Sequence, residues 1–540
     1  MDKHSFISSA RTISLCTLLS RILGLARDVL CASVFGTGLV WDAFAVAFRI
    51  PNLFRRLFGE GALTAAFIPT FTEYLEKKGE EEAWRLVSVV ATALALLLTL
   101  VVLAVETSLF VVLRSVSLEA KWEKTLELSA IMFPYSLFIC LTALVSAILN
   151  CLRHFFMPAF SPVILNLCWI GSIFLAVHSL GKAPEEAIYV IAIAVLVAGV
   201  LQLGSQWLIV RNNGGRVRLL VELSHPGLRE IVTNMGPVVF GLAVVQINVL
   251  VDSLIAVGFA SPPGGPTSFE FLGRTADFPL KGGAASVLYY GDRLMEFPLG
   301  MIGVAMATAV FPTLSTQSVR GDWGGFSETL KKALSMVLFV GIPAAVGLAI
   351  LGGPMAELFF QRRAFTLESA QRTAWVISFY SVGLWAFCAM HVLVRAFHSM
   401  KDTRTPAMVG ASMVGLNLMS NLALIWFLQE GGLALSTSMC AILQVAILLY
   451  ILNGKLGLKG MGAVAGSCGK TLVATSIMAL ICLGTLHMAP QAGGTFGAKA
   501  VRLFLPVASG LIGFLGTAYL LGSEELGQLY HAFRSKKGQS

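Results

Sequence analysis

The sequence predicts an all-α polytopic membrane protein with about fourteen transmembrane helices. Of the 540 residues, 56% are hydrophobic and only 13% are charged, and the mean hydropathy is +0.79. A soluble protein of this length needs far more polar surface than this composition supplies. Apolar runs of roughly 18 to 25 residues, long enough to cross a bilayer, also recur along the whole chain.

The predicted spans follow one another through short polar connections. The second and eighth are predicted to be bent, with Pro51 and the sequence Gly59-Glu60-Gly61 marking the bends in the second. The spans lie near 10–36, 38–72, 86–112, 126–151, 158–179, 187–210, 230–258, 285–316, 330–352, 370–398, 406–428, 431–453, 470–488 and 500–522.

The basic residues indicate the orientation of the chain. Loops 73–85 and 211–229 and the C-terminal tail are rich in Lys and Arg, which is typical of cytoplasmic segments, so both termini are predicted to be cytoplasmic. Arg11 and Arg21 interrupt the apolar run that a cleavable signal peptide needs, so the first span is expected to stay in the mature protein. Topology also accounts for most of the net charge of +9, and no nucleic-acid partner is predicted.

The nine cysteines and eight histidines are scattered singly, without a CxxC motif or a cysteine-histidine cluster. The cysteines are therefore interpreted as small core residues rather than metal ligands or disulfides. No glycine-rich nucleotide-binding loop is present either. No catalytic residues and no organic cofactor are predicted.

An internal repeat relates the two halves of the sequence. The pattern of residues 49–70 recurs at 296–313, and that of 148–159 recurs at 396–407, with an offset of about 245 residues. Two copies of a six-helix unit enter the membrane in the same direction and are related by an axis along its normal. The alternative is that proline-ended amphipathic helices resemble one another by chance.

The repeat predicts two lobes facing a central cavity. Two shorter stretches are predicted as a short interfacial helix at 214–226 and a mobile, Pro/Gly-rich external loop at 261–283. The predicted domains are an N-terminal lobe with spans 1–6 (1–213), an interfacial linker (214–229), a C-terminal lobe with spans 7–12 (230–455), and two peripheral spans with a cytoplasmic tail (456–540).

Residues 20–60 carry an unusual number of charges for membrane spans. A charged side chain at the centre of a bilayer costs from about 3 to more than 10 kcal/mol, so such residues usually face a wet cavity. Arg21, Gly24 and Asp28 share one helical face, with Arg27 beside them. The other charged residues of this kind are Asp42, Arg49, Arg55, Arg56 and Glu60 in span 2 and Asp292, Arg293 and Glu296 in span 8.

Several arginines near helix bends predict a receptor for a polyanion, because guanidinium groups bind phosphate oxygens bidentately and keep their charge when partly buried. The alternative is structural, with arginines and acids pairing to hold spans 1, 2 and 8 together. For Asp28, Asp42, Asp292 and Glu296 the two interpretations are equally good. Basic residues outnumber acids here, and the surplus positive charge favours an anion.

A second polar group concerns energy coupling. Asp252 lies in span 7, Asn417 and Asn421 lie one turn apart in span 11, and Thr437 lies in span 12. Carboxylate, amide and hydroxyl oxygens are the ligands that suit a sodium ion. Hydrogen bonding between helices is the competing interpretation.

Several motifs closely resemble those of the MurJ/MviN family, and the resemblance extends over essentially the whole chain. They are Ser20-Arg21-Ile22-Leu23-Gly24-Leu25-Ala26-Arg27-Asp28, Asp42-Ala43-Phe44, Pro51-Asn52-Leu53, Arg55-Arg56, Gly59-Glu60-Gly61-Ala62 and Asp292-Arg293-Leu294-Met295-Glu296-Phe297-Pro298. The family belongs to the multidrug/oligosaccharidyl-lipid/polysaccharide exporter superfamily. Some of its members carry an acid in place of Asn421.

The resemblance implies a flippase, not an enzyme, that moves lipid II, the undecaprenyl-pyrophosphate-linked peptidoglycan precursor. It implies alternating access in the bacterial inner membrane, with lipid II and membrane lipids as partners, a monomeric state, and coupling to sodium or to the membrane potential. The resemblance matches Arg21, Arg27, Arg55 and Arg293 to the substrate-binding arginines of the family, and the predicted binding set adds Ser20 and Arg49. It matches Asp28, Asp42 and Glu60 to acids that gate the cavity, and the predicted gating or ion-pairing set adds Asp292 and Glu296.

Other functions fit the sequence less well. A drug/cation antiporter or another lipid-linked oligosaccharide flippase of the superfamily fits an arginine-rich cavity less well. An intramembrane enzyme acting on lipid phosphates lacks a metal-ligand cluster or an activated nucleophile in this sequence. A scaffold without transport activity does not need the surplus arginines.

Overall fold

The structure is a computed structural model that describes residues 3–262, 265, 267–271, 274–457, 461–489 and 494–529. The basic residues of the predicted C-terminal tail, the side chain of Glu60 and parts of the 261–283 loop lie outside the described residues. The chain packs as two compact units, Met1–Ser286 and Val287–Ser540. The predicted lobe boundaries rest on the internal repeat, and they stay a prediction.

The first unit consists mainly of long helices. Their order is α1 (Lys3–Phe35), α2 (Leu39–Phe54), a π-helical segment (Arg55–Ala62), α3 (Leu63–Lys77), α4 (Glu80–Ser115), α5 (Ala120–Met132), α6 (Tyr135–Cys151), α7 (Phe156–Ile173) with a π-helical end (Phe174–Ser179), α8 (Pro184–Asn212), α9 (Pro226–Gly258) and the strands β1 (Ser268–Phe271) and β2 (Arg274–Asp277).

The second unit is helical throughout its described part. Helix α10 (Ala284–Leu299) begins at the end of the first unit and leads into a π-helical segment (Gly300–Val304). The remaining helices are α11 (Ala305–Arg320), α12 (Trp323–Phe359), α13 (Leu367–Ser399), α14 (Arg404–Leu428), α15 (Glu430–Leu456), α16 (Met461–Met488) and α17 (Phe496–Leu520).

Twelve helical segments within the described residues are long and apolar enough to cross a membrane. Helix α1 and the bent segment from α2 to α3 are not among them. These are the segments with the cluster of charged residues that the sequence singles out. The chain is therefore an all-helical polytopic membrane protein whose candidate functional residues lie partly in its least apolar helices.

The two spans predicted to be bent share a local feature. A π-helical segment follows Pro51 in the first unit and Pro298 in the second. Proline removes one backbone N–H donor from the helical ladder, and π-helical insertions are a recognised cause of kinks. π-Helical segments thus follow prolines at corresponding points of the two repeated sequences, where the sequence predicts the bends.

The second repeated sequence also has the same backbone conformation in both copies. Arg153 and Lys401 both have φ of 61°, a left-handed conformation that is uncommon for residues other than glycine. The next residue then bonds back to the helix, from His154 N to Leu149 O at 2.8 Å and from Asp402 N to Phe397 O at 3.0 Å. Both turns are helix C-caps of the Schellman type.

The predicted interfacial helix at 214–226 is wrong, because residues 215–225 form no helix. The amides of Arg218 and Leu220 bond instead to the hydroxyls of Ser88 (3.0 Å) and Thr92 (3.1 Å) on α4. Apolar side chains alternate with polar ones in this segment, which suits an extended chain rather than a helix. Hydrogen bonds to α4 therefore satisfy backbone amides that a helix would satisfy with its own carbonyls.

The loop at 261–283 has more structure than predicted. Strands β1 and β2 form an antiparallel hairpin with Phe269 opposite Ala276. The Phe269 ring lies 4.9 Å from that of Phe278 and 6.2 Å from that of Phe259, centroid to centroid. Aromatic packing thus orders a segment whose composition predicts only a mobile loop.

Candidate functional site

Arg27 lies at the centre of a buried polar cluster in the first unit. Arg27 and Asp28 are only 7% and 3% exposed. The guanidinium donates from Nε (3.0 Å) and Nη2 (2.8 Å) to Asp28 Oδ1, and from Nη1 to Asn166 Oδ1 at 3.1 Å. It also lies over the Trp169 ring, 4.4 Å from its centroid. We call Arg27, Asp28, Asn166 and Trp169 the Arg27 cluster.

Two helices build the Arg27 cluster. Helix α1 supplies the ion pair from consecutive residues, and α7 supplies Asn166 and Trp169 one turn apart. Asn166 Nδ2 donates to the carbonyl of Ser20 at 3.1 Å, which joins the helices a second time. An arginine binds carboxylate and phosphate oxygens with the same planar donors.

The other arginines of the first unit lie in different surroundings. Arg21 is exposed, whereas Arg49, Arg55 and Arg56 are half-buried. Arg49 bonds through Nη1 to Val249 O at 2.7 Å and to the Ser253 hydroxyl, both on α9. That these four arginines converge on one anion stays a prediction.

Arg55 begins the π-helical segment after α2. Its Nε donates to Asn52 Oδ1 at 2.8 Å, within the same bent span. The side chain of this arginine is therefore oriented by the residue one turn before it, at the start of the π-helical segment that follows Pro51.

Asp42 accepts hydrogen bonds from the chain that begins α10. Its carboxylate accepts from the amides of Gly283 (2.8 Å) and Ser286 (2.6 Å) and from the Ser286 hydroxyl. Gly283 has φ of 87°, and an added Cβ there would lie 2.3 Å from Thr37 O, so only glycine fits. Asp42 thus caps a helix N-terminus, where a negative charge is stabilised.

Lys121 plays the opposite part at the end of α9. It is 6% exposed and donates to the carbonyls of Gly258 (3.2 Å) and Ala260 (3.1 Å). A cation near the C-terminus of a helix is stabilised by the helix dipole. Lys121 and Asp42 line the same small cavity, and we call them, with Gly283 and Ser286, the loop-capping cluster.

In the second unit, Arg293 forms an ion pair within its own helix. Its Nη1 lies 2.7 Å from Glu296 Oε2, and both side chains are about one-third exposed, at 30% and 34%. The Tyr289 ring lies beneath the guanidinium, 5.0 Å from its Cζ atom. Asp292 is half-buried next to this pair. Arg293 is thus less enclosed than Arg27.

The residues predicted to bind sodium in the second unit form a hydrogen-bond network. Asn421 Nδ2 donates to Asn417 Oδ1 at 2.7 Å, Asn417 Nδ2 to Thr437 Oγ1 at 3.3 Å, and the Ser436 hydroxyl to Asn421. Two of these contacts join α14 to α15 and one lies within α14, as expected for the interhelical bonding that competes with a cation site. A sodium site also needs Asp252 from the first unit, and it stays a prediction.

Sequence reasoning missed three residues that the structure brings into these clusters. Asn166 and Trp169 lie in an apolar span, where only the polarity of Asn166 hints at a role. Lys121 lies among Glu119, Glu123 and other charges that are typical of a loop. Its burial depends on the 258–260 carbonyls, about 140 residues away, a long-range contact that no local pattern predicts.

Comparisons with known proteins show which proteins the chain as a whole resembles. The family model described as "Lipid II flippase MurJ" matches residues 31–502. The chain is 37% identical over 454 residues to the probable lipid II flippase MurJ of Vibrio cholerae serotype O1, covering 82% of both proteins. It is 33% identical over 492 residues to the lipid II flippase MurJ of Burkholderia cenocepacia, covering 88% of both.

Solved structures show the same likeness. A lipid II flippase MurJ in an inward closed conformation matches with a TM-score of 0.74 and 25% identity, covering 94% of this chain and 99% of that one. An inward-facing multidrug resistance transporter of the MATE family matches with a TM-score of 0.62 and 12% identity, covering 84% and 100%. The second likeness concerns the fold alone.

Proposed function

The chain belongs to the lipid II flippase MurJ family, and from that premise we propose how its residues move lipid II across the membrane. It is a transmembrane lipid II flippase of peptidoglycan synthesis, a transporter rather than an enzyme. The observation that carries the mechanism is the buried Arg27–Asp28 pair, whose carboxylate occupies donors that a pyrophosphate can use.

The architecture has fourteen transmembrane helices in two six-helix lobes, 1–213 and 230–455, joined by the 214–229 linker. Residues 456–540 add two peripheral helices and a cytoplasmic tail. The matching left-handed turns at Arg153 and Lys401 support this repeat, as do the π-helical segments after corresponding prolines. Two such lobes around a cavity suit alternating access.

Substrate binding begins on the cytoplasmic side. The lipid II head group enters the cavity while its polyprenyl tail stays in the bilayer. The pyrophosphate then replaces Asp28 as an acceptor for Arg27. The other cationic or polar residues of the predicted set complete the anion-binding site: Ser20, Arg21, Arg49, Arg55 and Arg293. Arginine is suited to this exchange because its charge persists in a partly buried site.

The acids act in gating. Asp28 re-forms its pair with Arg27 when the head group leaves, and Glu296 does the same for Arg293. Asp42 contributes to gating only through the fold, because it holds the start of α10 through backbone amides. The remaining gating residues are Glu60 and Asp292.

The protein works as a monomer in the bacterial inner membrane with both termini in the cytoplasm. The membrane potential can bias the loaded or the returning step, because moving one charge through it is worth about 2.3 kcal/mol per 100 mV. Sodium coupling through Asp252, Asn417, Asn421 and Thr437 is the weaker proposal, given how their amides are bonded.

Complementation tests the function. Cells depleted of their own flippase, supplied with this chain, should regain growth and expose lipid II at the outer face of the inner membrane. Membrane abundance is measured in parallel. A well-expressed chain that leaves lipid II on the cytoplasmic side would contradict the assignment.

A further inference from the structure

The segment found in place of the predicted interfacial helix exposes an aliphatic surface. Residues 215–225, which we call the linker segment, connect the end of α8 to the start of α9. Since α8 and α9 are consecutive membrane spans, both ends of the linker segment lie on the same side of the bilayer. Its short length keeps it close to the membrane surface.

Contacts with α4 set the depth of the linker segment. Helix α4 has 36 residues and is about 54 Å long, so it is longer than the hydrocarbon core of a bilayer, about 30 Å. Its first turn carries three acidic residues, Glu80 to Glu82, and its apolar run begins after Arg85. Ser88 and Thr92, which accept the linker amides, lie about 12 and 18 Å along the helix from Glu80. The linker segment therefore lies at the level of the polar-apolar boundary.

The side chains of the linker segment divide into two sets. Glu222 points to the protein, where its Oε2 lies 3.1 Å from Arg85 Nη2. Leu219, Val221 and Leu223 point away, with exposed fractions of 88%, 71% and 70%. Alternation of this kind is the mark of an extended chain with one face on the protein and one face outward. The outward face is aliphatic at the depth where the bilayer changes from polar to apolar.

Four exposed arginines flank this aliphatic face along the chain. Arg216 and Arg218 precede it within the segment, and Arg211 and Arg229 lie at the adjoining helix ends, all four exposed. The acid within the segment, Glu222, is already paired with Arg85. Basic residues beside apolar side chains at a membrane surface attract anionic lipids.

We propose that the linker segment is a membrane anchor that inserts Leu219, Val221 and Leu223 at the headgroup-acyl boundary and binds anionic phospholipid phosphates through Arg216 and Arg218. The occupant is the bilayer rather than a partner protein, because the contacts with Ser88 and Thr92 place the aliphatic face at membrane depth. The anchor fixes the height of the connection between α8 and α9.

Lipid photocrosslinking tests the anchor. The full-length protein is placed in vesicles of three parts phosphatidylcholine to one part phosphatidylglycerol, with a trace of either lipid carrying a diazirine near the top of its acyl chain. Crosslinked peptides are mapped by mass spectrometry. Residues 215–225 should be labelled by both probes, and the phosphatidylglycerol probe should exceed the phosphatidylcholine probe by about threefold or more.

Two double variants test the part of the arginines in lipid binding separately from the insertion of the aliphatic side chains. R216Q/R218Q should bring phosphatidylglycerol labelling of the segment down to the phosphatidylcholine level. The control R320Q/R404Q removes two exposed arginines at other helix ends and should leave the labelling ratio unchanged. Equal labelling by the two probes in the unaltered protein would overturn the anionic-lipid part. No labelling of the segment, or its crosslinking to a second protein, would overturn the anchor itself.

Discussion

The first unit contains two clusters of buried charge that are neutralised in different ways. In the Arg27 cluster the guanidinium meets a carboxylate on the next residue, an amide oxygen and an indole ring. In the loop-capping cluster Asp42 accepts from backbone amides at a helix start, and Lys121 donates to carbonyls at a helix end and also pairs with the exposed Glu119 at 3.1 Å. A carboxylate partner can be exchanged for a phosphate, whereas a helix end cannot be removed from the fold.

This difference separates function from stability. A buried ion pair costs about 3–5 kcal/mol when one partner is removed, but replacing both partners with neutral groups is often harmless to folding. Charges on helix ends are worth about 0.3–2 kcal/mol and act on the fold directly. We therefore expect the Arg27 cluster to be sensitive in transport and the loop-capping cluster to be sensitive in stability.

The double variant R27Q/D28N should have the largest effect. It removes both charges together, so no unpaired charge is buried and membrane abundance should stay near normal. Lipid II exposure in flippase-depleted cells should fall roughly 100-fold, because the charged contact to the pyrophosphate is lost. The matched control is R85Q/E222Q, an exposed pair on α4 and the linker. Rescue by R27Q/D28N would make the Arg27 cluster purely structural.

Asp42→Ala should mainly lower stability. It leaves the amides of Gly283 and Ser286 without their acceptor, a loss of about 2–3 kcal/mol on unfolding. Asp42→Asn keeps one acceptor oxygen and should lose about half as much. Thermal unfolding in detergent measures both. A fully stable Asp42→Ala protein that no longer transports would reverse the assignment of the two clusters.

Much of the helical framework could be predicted from the sequence, because apolar runs and prolines are local signals. Predicted spans 86–112 and 370–398 lie within α4 and α13. A π-helical segment follows Pro51, where the sequence predicts a bend. The internal repeat aligns Arg153 with Lys401, and both residues form the same left-handed turn.

The partners of the charged residues could not be predicted, because they come from distant parts of the chain. Arg27 and Asn166 are 139 residues apart, and Asp42 and Ser286 are 244 apart. The linker segment is extended for the same reason, since hydroxyls of α4 bind its amides. Composition predicts that such residues need partners, but only tertiary packing decides which partners they find.

Asn166→Ala tests whether the surroundings of Arg27 are tuned for transport. It removes the acceptor for Nη1 and the bond to the Ser20 carbonyl, so Arg27 should be held less well. Transport should fall roughly 10-fold, with a loss of about 1–2 kcal/mol in stability. Ser172→Ala is the control on the same helix, because the Ser172 hydroxyl bonds only within α7 among the contacts described. Equal transport by the two variants would exclude a role for Asn166 in positioning Arg27.

The smallest expected effect concerns an ion pair at the repeated turn. His154 bonds to Asn213 in the first copy, whereas Asp402 pairs with Lys455 in the second. Burial opposes ionisation of Asp402, but hydrogen bonds from Lys455 and Thr405 outweigh it and lower its pKa from 3.8 to about 2. A lowered pKa means that the stabilisation is present above about pH 4 and is lost as the pH falls toward 2.

Asp402→Asn should therefore lower the melting temperature slightly at pH 6 and not at pH 2. The half-exposed Lys455 ammonium keeps the difference near 0.5 kcal/mol, as in other solvent-screened pairs. Thermal unfolding of both proteins from pH 2 to 6 measures the gap, and a constant gap would contradict the charge-based account. His154→Ala is the control at the corresponding turn of the first unit. His154 bonds to the Asn213 amide rather than to a carboxylate, so no carboxylate titrates in that contact. The difference in melting temperature between His154→Ala and the unaltered protein should therefore not close between pH 4 and 2.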